Sequence, residues 1–257
     1  MSEFRRILLD GAIVEVERAG ERLTARDGRA VAPDEARHLP PSVPSKIIAV
    51  HLNHVSRVRE FMISLGATPT YFQKCLSSLN AHRGAVVRPR GCRWLNYEGE
   101  VAIVMARRCR NIAKDEAPGY IAGYTICNDV SERHFQIERS GQWMKGKCCE
   151  TFGPLGPWLV TPDEIADPQN LDMFLDVNGK RMQSGNTKTM IFGCHHLMHY
   201  ISQFMVLEPG DVIVTGTPPG VALGMKPEPK FLKAGDVVTL GIDGLGEQKQ
   251  KIAPARI

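Results

Sequence analysis

Glu98 and Glu100 stand two apart in the run Asn96-Tyr97-Glu98-Gly99-Glu100-Val101-Ala102-Ile103-Val104-Met105. The run ends in β-branched residues and reads as a strand, on which residues two apart share a face, about 6.5–7 Å apart along the chain. Like charges repel and each carboxylate resists leaving water, so such a pair is costly at the head of an apolar strand. A divalent cation held by both would remove that cost. A strand end with two solvated acids is the competing reading. Asp129 closes the pair Asn128-Asp129 at the end of a further expected strand, where a side chain can turn toward a site on neighbouring strands. The N-terminal cap of the short helix expected over residues 131–138 is its alternative reading.

The elements that must position these acids are mostly strands. Short apolar runs around Asp10-Gly11 and Asp27-Gly28 form a hairpin-rich unit, which the prolines of Pro40-Pro41-Ser42-Val43-Pro44 separate from the remainder. The expected division is a small N-terminal β-hairpin domain, 1–44, and a catalytic metal-binding domain, 45–257. In the second part, strands are expected over 46–52, 71–72, 85–88, 94–105, 120–127, 171–177, 211–215, 237–242 and 247–252, with Asn178-Gly179 and Asp243-Gly244 as hairpin turns. Helices are expected over 55–65, 131–138 and 190–204, and a glycine- and proline-rich loop over 216–229. No βαβ rhythm appears, so the expected class is α+β, β-rich, with a mixed sheet.

Composition bounds the partners. The 257 residues carry 43% apolar and 23% charged side chains, as a soluble globular protein does. No apolar run approaches the ~20 residues of a membrane helix, and no signal-peptide core follows Met1, so the expectation is a cytoplasmic enzyme without a membrane partner. Seven cysteines without a C-x-x-C pair read as reduced thiols. The net charge of +4 is spread along the chain with no Lys/Arg block among aromatics, which argues against nucleic acid and suits a small anionic substrate.

Five features occur in order: Glu98-x-Glu100, Asn128-Asp129-Val130-Ser131-x-Arg133, Lys145-Gly146-Lys147, Gly153-Pro154-Leu155-Gly156-Pro157-Trp158 and Thr215-Gly216-Thr217-Pro218-Pro219-Gly220. Together with Ile48-Ala49-Val50-His51-Leu52-Asn53-His54, they resemble the fumarylacetoacetate hydrolase family over residues 45–253, nearest to its isomerases and decarboxylases of homoprotocatechuate breakdown. The resemblance implies a mixed β-sheet roll, usually a homodimer, with Mg²⁺ or Mn²⁺ held by Glu98, Glu100 and Asp129. It places Lys147 near the substrate oxygen, as a charge that holds an enolate or moves a proton. It also implies substrate contacts from Arg133, Gln136, Thr217 and Lys74, the last kept in a Phe-x-Lys pattern. A surface lysine, a plain turn and helix-surface residues are the ordinary alternatives for Lys147, Thr217, and the pair Arg133 and Gln136.

The chain also departs from the family. Members that cleave or hydrate carry a lid histidine with a glutamate three residues on; here Arg57 stands at the histidine position and Glu60 keeps the acid. Arginine stays protonated and cannot take a proton from water, so carbon–carbon hydrolysis is disfavoured. Arg57 can instead bind a second substrate carboxylate through two hydrogen bonds. His54 replaces the usual tyrosine, Cys75 a proline, and Cys148-Cys149 a serine–aromatic pair. His195 and His199 share a helix face at i, i+4, but H-H-x-x-H lacks the glutamate of zinc proteases, and core packing is the better reading.

Three functions follow. The first is a metal-dependent isomerase or decarboxylase acting through an enolate on a 2-oxo or 2-hydroxydienoic dicarboxylic acid. The second is a hydrolase of 2,4-dioxo acids, including deoxy-sugar-acid diketones, a branch that residues 224–233 and 244–248 resemble. The third is a metal-binding paralogue without turnover.

Overall fold

The structure, a computed structural model, describes residues 3–62 and 66–256. Strands take up 38% of it and helices 18%, in the α+β arrangement expected from the sequence. No helix among the described residues is long and apolar enough to cross a membrane.

A 13-stranded mixed sheet is built around the strand Gly99–Met105. Its neighbours are Ile121–Asn128 and Val212–Val214, both antiparallel to it. Val212–Val214 in turn pairs in parallel with Ile47–His51, and that strand pairs antiparallel with Thr70–Lys74. All seven residues of Gly99–Met105 are buried, because both faces are covered. Val101, Ile103 and Met105 point into the large core, while Ala102 and Val104 point into a second cluster with Ile47, Val212 and Val214. That double cover explains a nearly uninterrupted apolar run in an antiparallel setting.

A five-stranded sheet packs against the first, in the order Lys180–Asn186, Asp172–Val177, Val237–Ile242, Gly246–Ala253, Val86–Val87. The N-terminal strands Glu3–Leu9 and Ala12–Ala19 form a hairpin whose two-residue turn has positive φ at Asp10 (51°) and Gly11 (78°), matching the right-handed strand twist. They enclose a small cluster of Ile7, Val16, Leu23 and Ala25. Glu3–Leu9 also pairs with Leu159–Val160, so these hairpins extend the large sheet.

Several boundaries differ from those expected. The strand expected over 94–105 is two strands, Leu95–Asn96 and Gly99–Met105. Between them the chain buries Tyr97 completely, with its hydroxyl donating to Gly220 O at 3.0 Å. The helix expected over 131–138 covers only Arg133–Glu138, because Ser131–Glu132 pairs with Leu95–Asn96. The helix expected over 190–204 is Cys194–Ser202. Ahead of it, Ile191 N–H donates to Asn53 O at 2.9 Å and Phe192 N–H to Asn53 Oδ1 at 2.8 Å, which holds that stretch extended. Of the helix expected over 55–65, Val55–Phe61 is helical, and residues 63–65 lie outside the described residues.

Candidate active site

The pairing of Gly99 opposite Asn128 sets Glu98 and Asp129 side by side at one end of the central ladder. Two hydrogen bonds lock them there: Asp129 N–H donates to Glu98 O at 2.8 Å, and Glu98 N–H donates to the Asn128 side chain, Oδ1, at 3.0 Å. Glu100 adds a third carboxylate from the strand itself. One oxygen of each acid lies within 4.8 Å of those of the other two, and all three side chains are buried. No other group of three potential metal ligands exists among the described residues.

Cations surround the cluster unevenly. The short helix Met144–Lys147 brings Lys147 Nζ to Glu98 Oε2 at 2.5 Å and into a closer contact with Asp129 Oδ2. Gly146 permits this approach, since a Cβ there would lie 2.4 Å from Glu132 O. Arg133 donates to Glu98 Oε1 and, at 2.5 Å, to Gln136 Oε1. Arg57 Nη2 lies 3.6 Å from the same Glu98 oxygen, and Arg57 Nη1 donates to Glu60 Oε2 at 2.8 Å. Burial alone would raise the Glu98 carboxyl, but the charges of Arg133, Lys147 and Arg57 outweigh it and hold the group below the usual carboxylate range.

Glu100 is the opposite case. Among the described residues no cation pairs with it; it accepts the Gly216 N–H at 2.5 Å. Burial, then the charges of Asp129 and Glu98, push its carboxyl well above the ordinary value, against a smaller pull from Lys147 and the Gly216 N–H. A buried carboxylate short of positive charge, in an all-oxygen donor set, fits a hard divalent cation.

A cavity of about 180 Å³ opens over the acids. At roughly 30 Å³ per water it has room for a few waters, which suits a small acid. Lys147, Arg57, Arg133, Gln136 and Thr217 line its polar side, and Phe61, Phe72, Trp143 and Leu223 its apolar side. Glu60 stands behind Arg57, with Gly220 N–H donating to its Oε1 at 3.2 Å. Lys74 lies one layer behind the cavity and does not line it: its buried ammonium donates to Asp129 Oδ1 at 2.6 Å and Lys147 O at 2.7 Å. The Thr217 hydroxyl is engaged with the fold, donating to Gly99 O and accepting from Gln183 Nε2, both at 2.9 Å.

Three contributors escaped the sequence reading. Gln183 clasps the Thr217-Pro218 loop to the acid strand, accepting Gly99 N–H at 3.0 Å while donating to Pro218 O at 2.9 Å. His51 and Trp143 meet edge-on at 4.4 Å in the cavity wall. Burial lowers His51 to about 4, with Lys147, Arg133 and Arg57 acting in the same direction against the pull of Glu98. The residue types of His51 and Trp143 were visible, but nothing in their spacing joined them to the acids.

His54, His196 and His199 are engaged with the fold. His54 is fully buried between Thr189 Oγ1 (2.8 Å) and Gly216 O (3.2 Å). His199 Nδ1 sits 2.7 Å from Ile112 O, and His196 stacks on Phe192 and Tyr200.

Residues 46–253 match the model of the fumarylacetoacetate (FAA) hydrolase C-terminal domain. The chain belongs to the fumarylacetoacetate hydrolase family. Within that family it is 50% identical, over 211 residues, to the 2,4-didehydro-3-deoxy-L-rhamnonate hydrolase of Sphingomonas sp. (strain SKA58), covering 82% of this chain and 74% of that protein. The fumarylacetoacetate hydrolase fold spans the whole molecule. The 5-carboxymethyl-2-hydroxymuconate delta-isomerase from Mycobacterium smegmatis superposes with a TM-score of 0.87 at 31% identity over 100% of both chains. A fumarylacetoacetate hydrolase from psychrophilic Exiguobacterium antarcticum superposes with a TM-score of 0.89 at 29% identity, again over 100% of both.

Proposed function

We propose that this fumarylacetoacetate hydrolase family enzyme isomerises or decarboxylates a small 2-oxo or 2-hydroxydienoic dicarboxylic acid, with Mg²⁺ or Mn²⁺ held by Glu98, Glu100 and Asp129. The carrying observation is Arg57, seated in the cavity wall between Glu98 and Glu60, where a base for water would otherwise stand. Bound at the three acids, the cation supplies Lewis-acid polarisation of the 2-oxo group, worth several kcal/mol.

The side chains supply the remainder. Lys147 presents its ammonium beside the acids, where it stabilises negative charge on the substrate oxygen and gives a proton to carbon, the amine then taking the proton of the 2-hydroxyl in isomerisation or one from solvent after CO₂ leaves. Arg57, held in orientation by Glu60, takes the substrate's second carboxylate, and Arg133, braced by Gln136, lines the wall beside Glu98. Phe61, Phe72 and Trp143 keep water from the intermediate. Relocating a proton or releasing CO₂ needs no activated water, which agrees with a guanidinium at the lid position. Lys74 acts behind the site, fixing Asp129 and the Lys147 backbone.

A second reading, hydrolysis of a 2,4-dioxo acid, draws support from the 50% identity to a hydrolase of that substrate type. A substrate panel with Mg²⁺, and again with EDTA, separates them. The expected result is metal-dependent loss of dienedioate absorbance or CO₂ release that outpaces pyruvate release from acylpyruvates. Faster pyruvate release would replace the first reading with the second, and no turnover of any 2-oxo acid would leave a binding protein.

A further inference from the structure

Two half-buried cysteines meet behind the acid cluster. Cys75 follows the strand Thr70–Lys74 and Cys148 follows the helix Met144–Lys147, so each comes straight after a lysine whose ammonium bonds Asp129. Both stand where the sequence departs from the family, and neither takes part in the chemistry above. Cys75 N–H donates to Cys148 Sγ at 3.0 Å, and the same sulfur lies 3.8 Å from Gln73 O. The two thiols are themselves in hydrogen-bond contact. With standard bond lengths, the 3.0 Å contact keeps the two Cα atoms within about 7 Å, a span that a disulfide can bridge.

The two segments are already clipped together beside the sulfurs. Lys74 Nζ donates to Lys147 O at 2.7 Å, which ties the end of the strand to the end of the helix. That bond keeps the thiols opposed in the reduced protein. The neighbouring Cys149 turns elsewhere, its Sγ lying 3.6 Å from Lys145 O. Burial raises the Cys148 thiol to about 11, with the Cys75 thiol adding to the rise, against the Cys75 N–H and the charge of Lys74. Cys148 is therefore protonated at neutral pH and reacts slowly there, since the thiolate is the nucleophile.

We propose that Cys75 and Cys148 form a modification site, a reversible disulfide that joins the strand bearing Lys74 to the helix bearing Lys147. The co-reactant is a low-molecular-weight disulfide, such as oxidised glutathione. One cysteine thiolate attacks a sulfur of that molecule, forming a mixed disulfide and expelling a glutathione thiolate, which takes up a proton. The second cysteine thiolate then attacks the protein sulfur of the mixed disulfide, and the other glutathione leaves in the same way. The two cysteines give up two electrons and two protons, and the small disulfide departs as two thiols. Because Lys147 immediately precedes Cys148, the bond restrains the ammonium that faces the acids.

The test incubates the full chain with excess oxidised glutathione at neutral and at alkaline pH. Free thiols are then alkylated, and the protein is digested without reduction and mapped by mass spectrometry. The peptides carrying Cys75 and Cys148 should be found joined, two hydrogens below their summed mass, and dithiothreitol should separate them. Joining should be faster at alkaline pH. In Cys75→Ser, Cys148 should keep one glutathione, and in Cys148→Ser, Cys75 should, because the thiol that resolves the adduct is gone. The proposal is overturned if both cysteines of the parent remain open to alkylation, or if the bond joins either of them to Cys92, Cys149 or a second chain. It fails equally if the serine variants hold no more glutathione than the parent.

Discussion

Replacing Glu100 with glutamine removes one negative charge at nearly constant volume, and its effect should change sign with metal. Glu100 is 2% exposed and its carboxyl is held well above the ordinary range by burial and by Asp129 and Glu98. A carboxyl whose folded-state pKa is raised makes ionisation unfavourable to the fold. The metal-free parent therefore loses stability as pH rises from about 4.3, the unfolded glutamate value, toward that raised value. Glu100→Gln has no such loss and keeps an oxygen for the Gly216 N–H, so in EDTA at neutral pH it should be at least as stable as the parent. With metal the order reverses. A cation at a hundred times its dissociation constant stabilises the parent by about 2.7 kcal/mol. For a chain of this size that is a melting shift of roughly 5–11 °C, at 2–4 °C per kcal/mol. The variant, short of one ligand charge, should lose most of this shift. Thermal melts followed by circular dichroism, in EDTA and in excess MgCl₂ or MnCl₂, read both halves. A full metal-induced shift in Glu100→Gln would refute the ligand assignment, and a variant melting several degrees below the parent in EDTA would refute the charge argument.

Lys147→Met should cost about 3–5 kcal/mol in EDTA, because it strips Glu98 and Asp129 of a buried countercharge. Urea unfolding should show a smaller cost once metal is added, and turnover should fall about 10²–10³-fold; equal costs in both conditions would contradict the shared charge balance. Asp211 holds the entry to the Ile47–His51 strand by accepting from Ser45 Oγ (2.7 Å) and the Ser45 and Lys46 N–H groups (2.9 and 3.0 Å). Burial opposes its ionisation, but bonds from Lys46, Glu208 N–H and Ser45 outweigh that and lower the carboxyl. Its contribution is therefore full above about pH 3.9 and lost as pH falls through the depressed value. Asp211→Asn should cost about 1.5–3 kcal/mol at neutral pH, a gap that denaturation at successively lower pH should see close.

The acids and their lysine were legible because they are local. Glu98 and Glu100 sit on one short stretch, Asp129 follows the strand that pairs with it, and Lys147 stands in a Lys-Gly-Lys motif that the family resemblance singled out. What remained hidden depends on partners distant in the chain. Gln183 is 84 residues from the Gly99 N–H it accepts, and no pattern in a polar, partly exposed strand announces that reach. The helix ahead of Cys194 is shorter than its periodicity because Asn53, 139 residues away from Phe192, recruits the backbone there. Lys74 carries a substrate-facing motif, yet Asp129 and a carbonyl draw it into the second layer. Arg57 was visible as a replacement, but its place in the cavity wall became plain only with the Val55–Phe61 helix and its Glu60 partner in view.

Because Gly99 faces Asn128 in a ladder buried in the core, the acid geometry is fixed by the core itself. A slip of one residue between those strands would send the carboxylates to opposite faces and empty the core in the same stroke. The chelating end is thus shielded from drift, while the apolar wall opposite it, with Phe61 at the end of the Val55–Phe61 helix and Leu223, stands off the ladder. A change of substrate is therefore expected from residues of the mouth, such as Phe61 and Leu223, with the anchor left as it is.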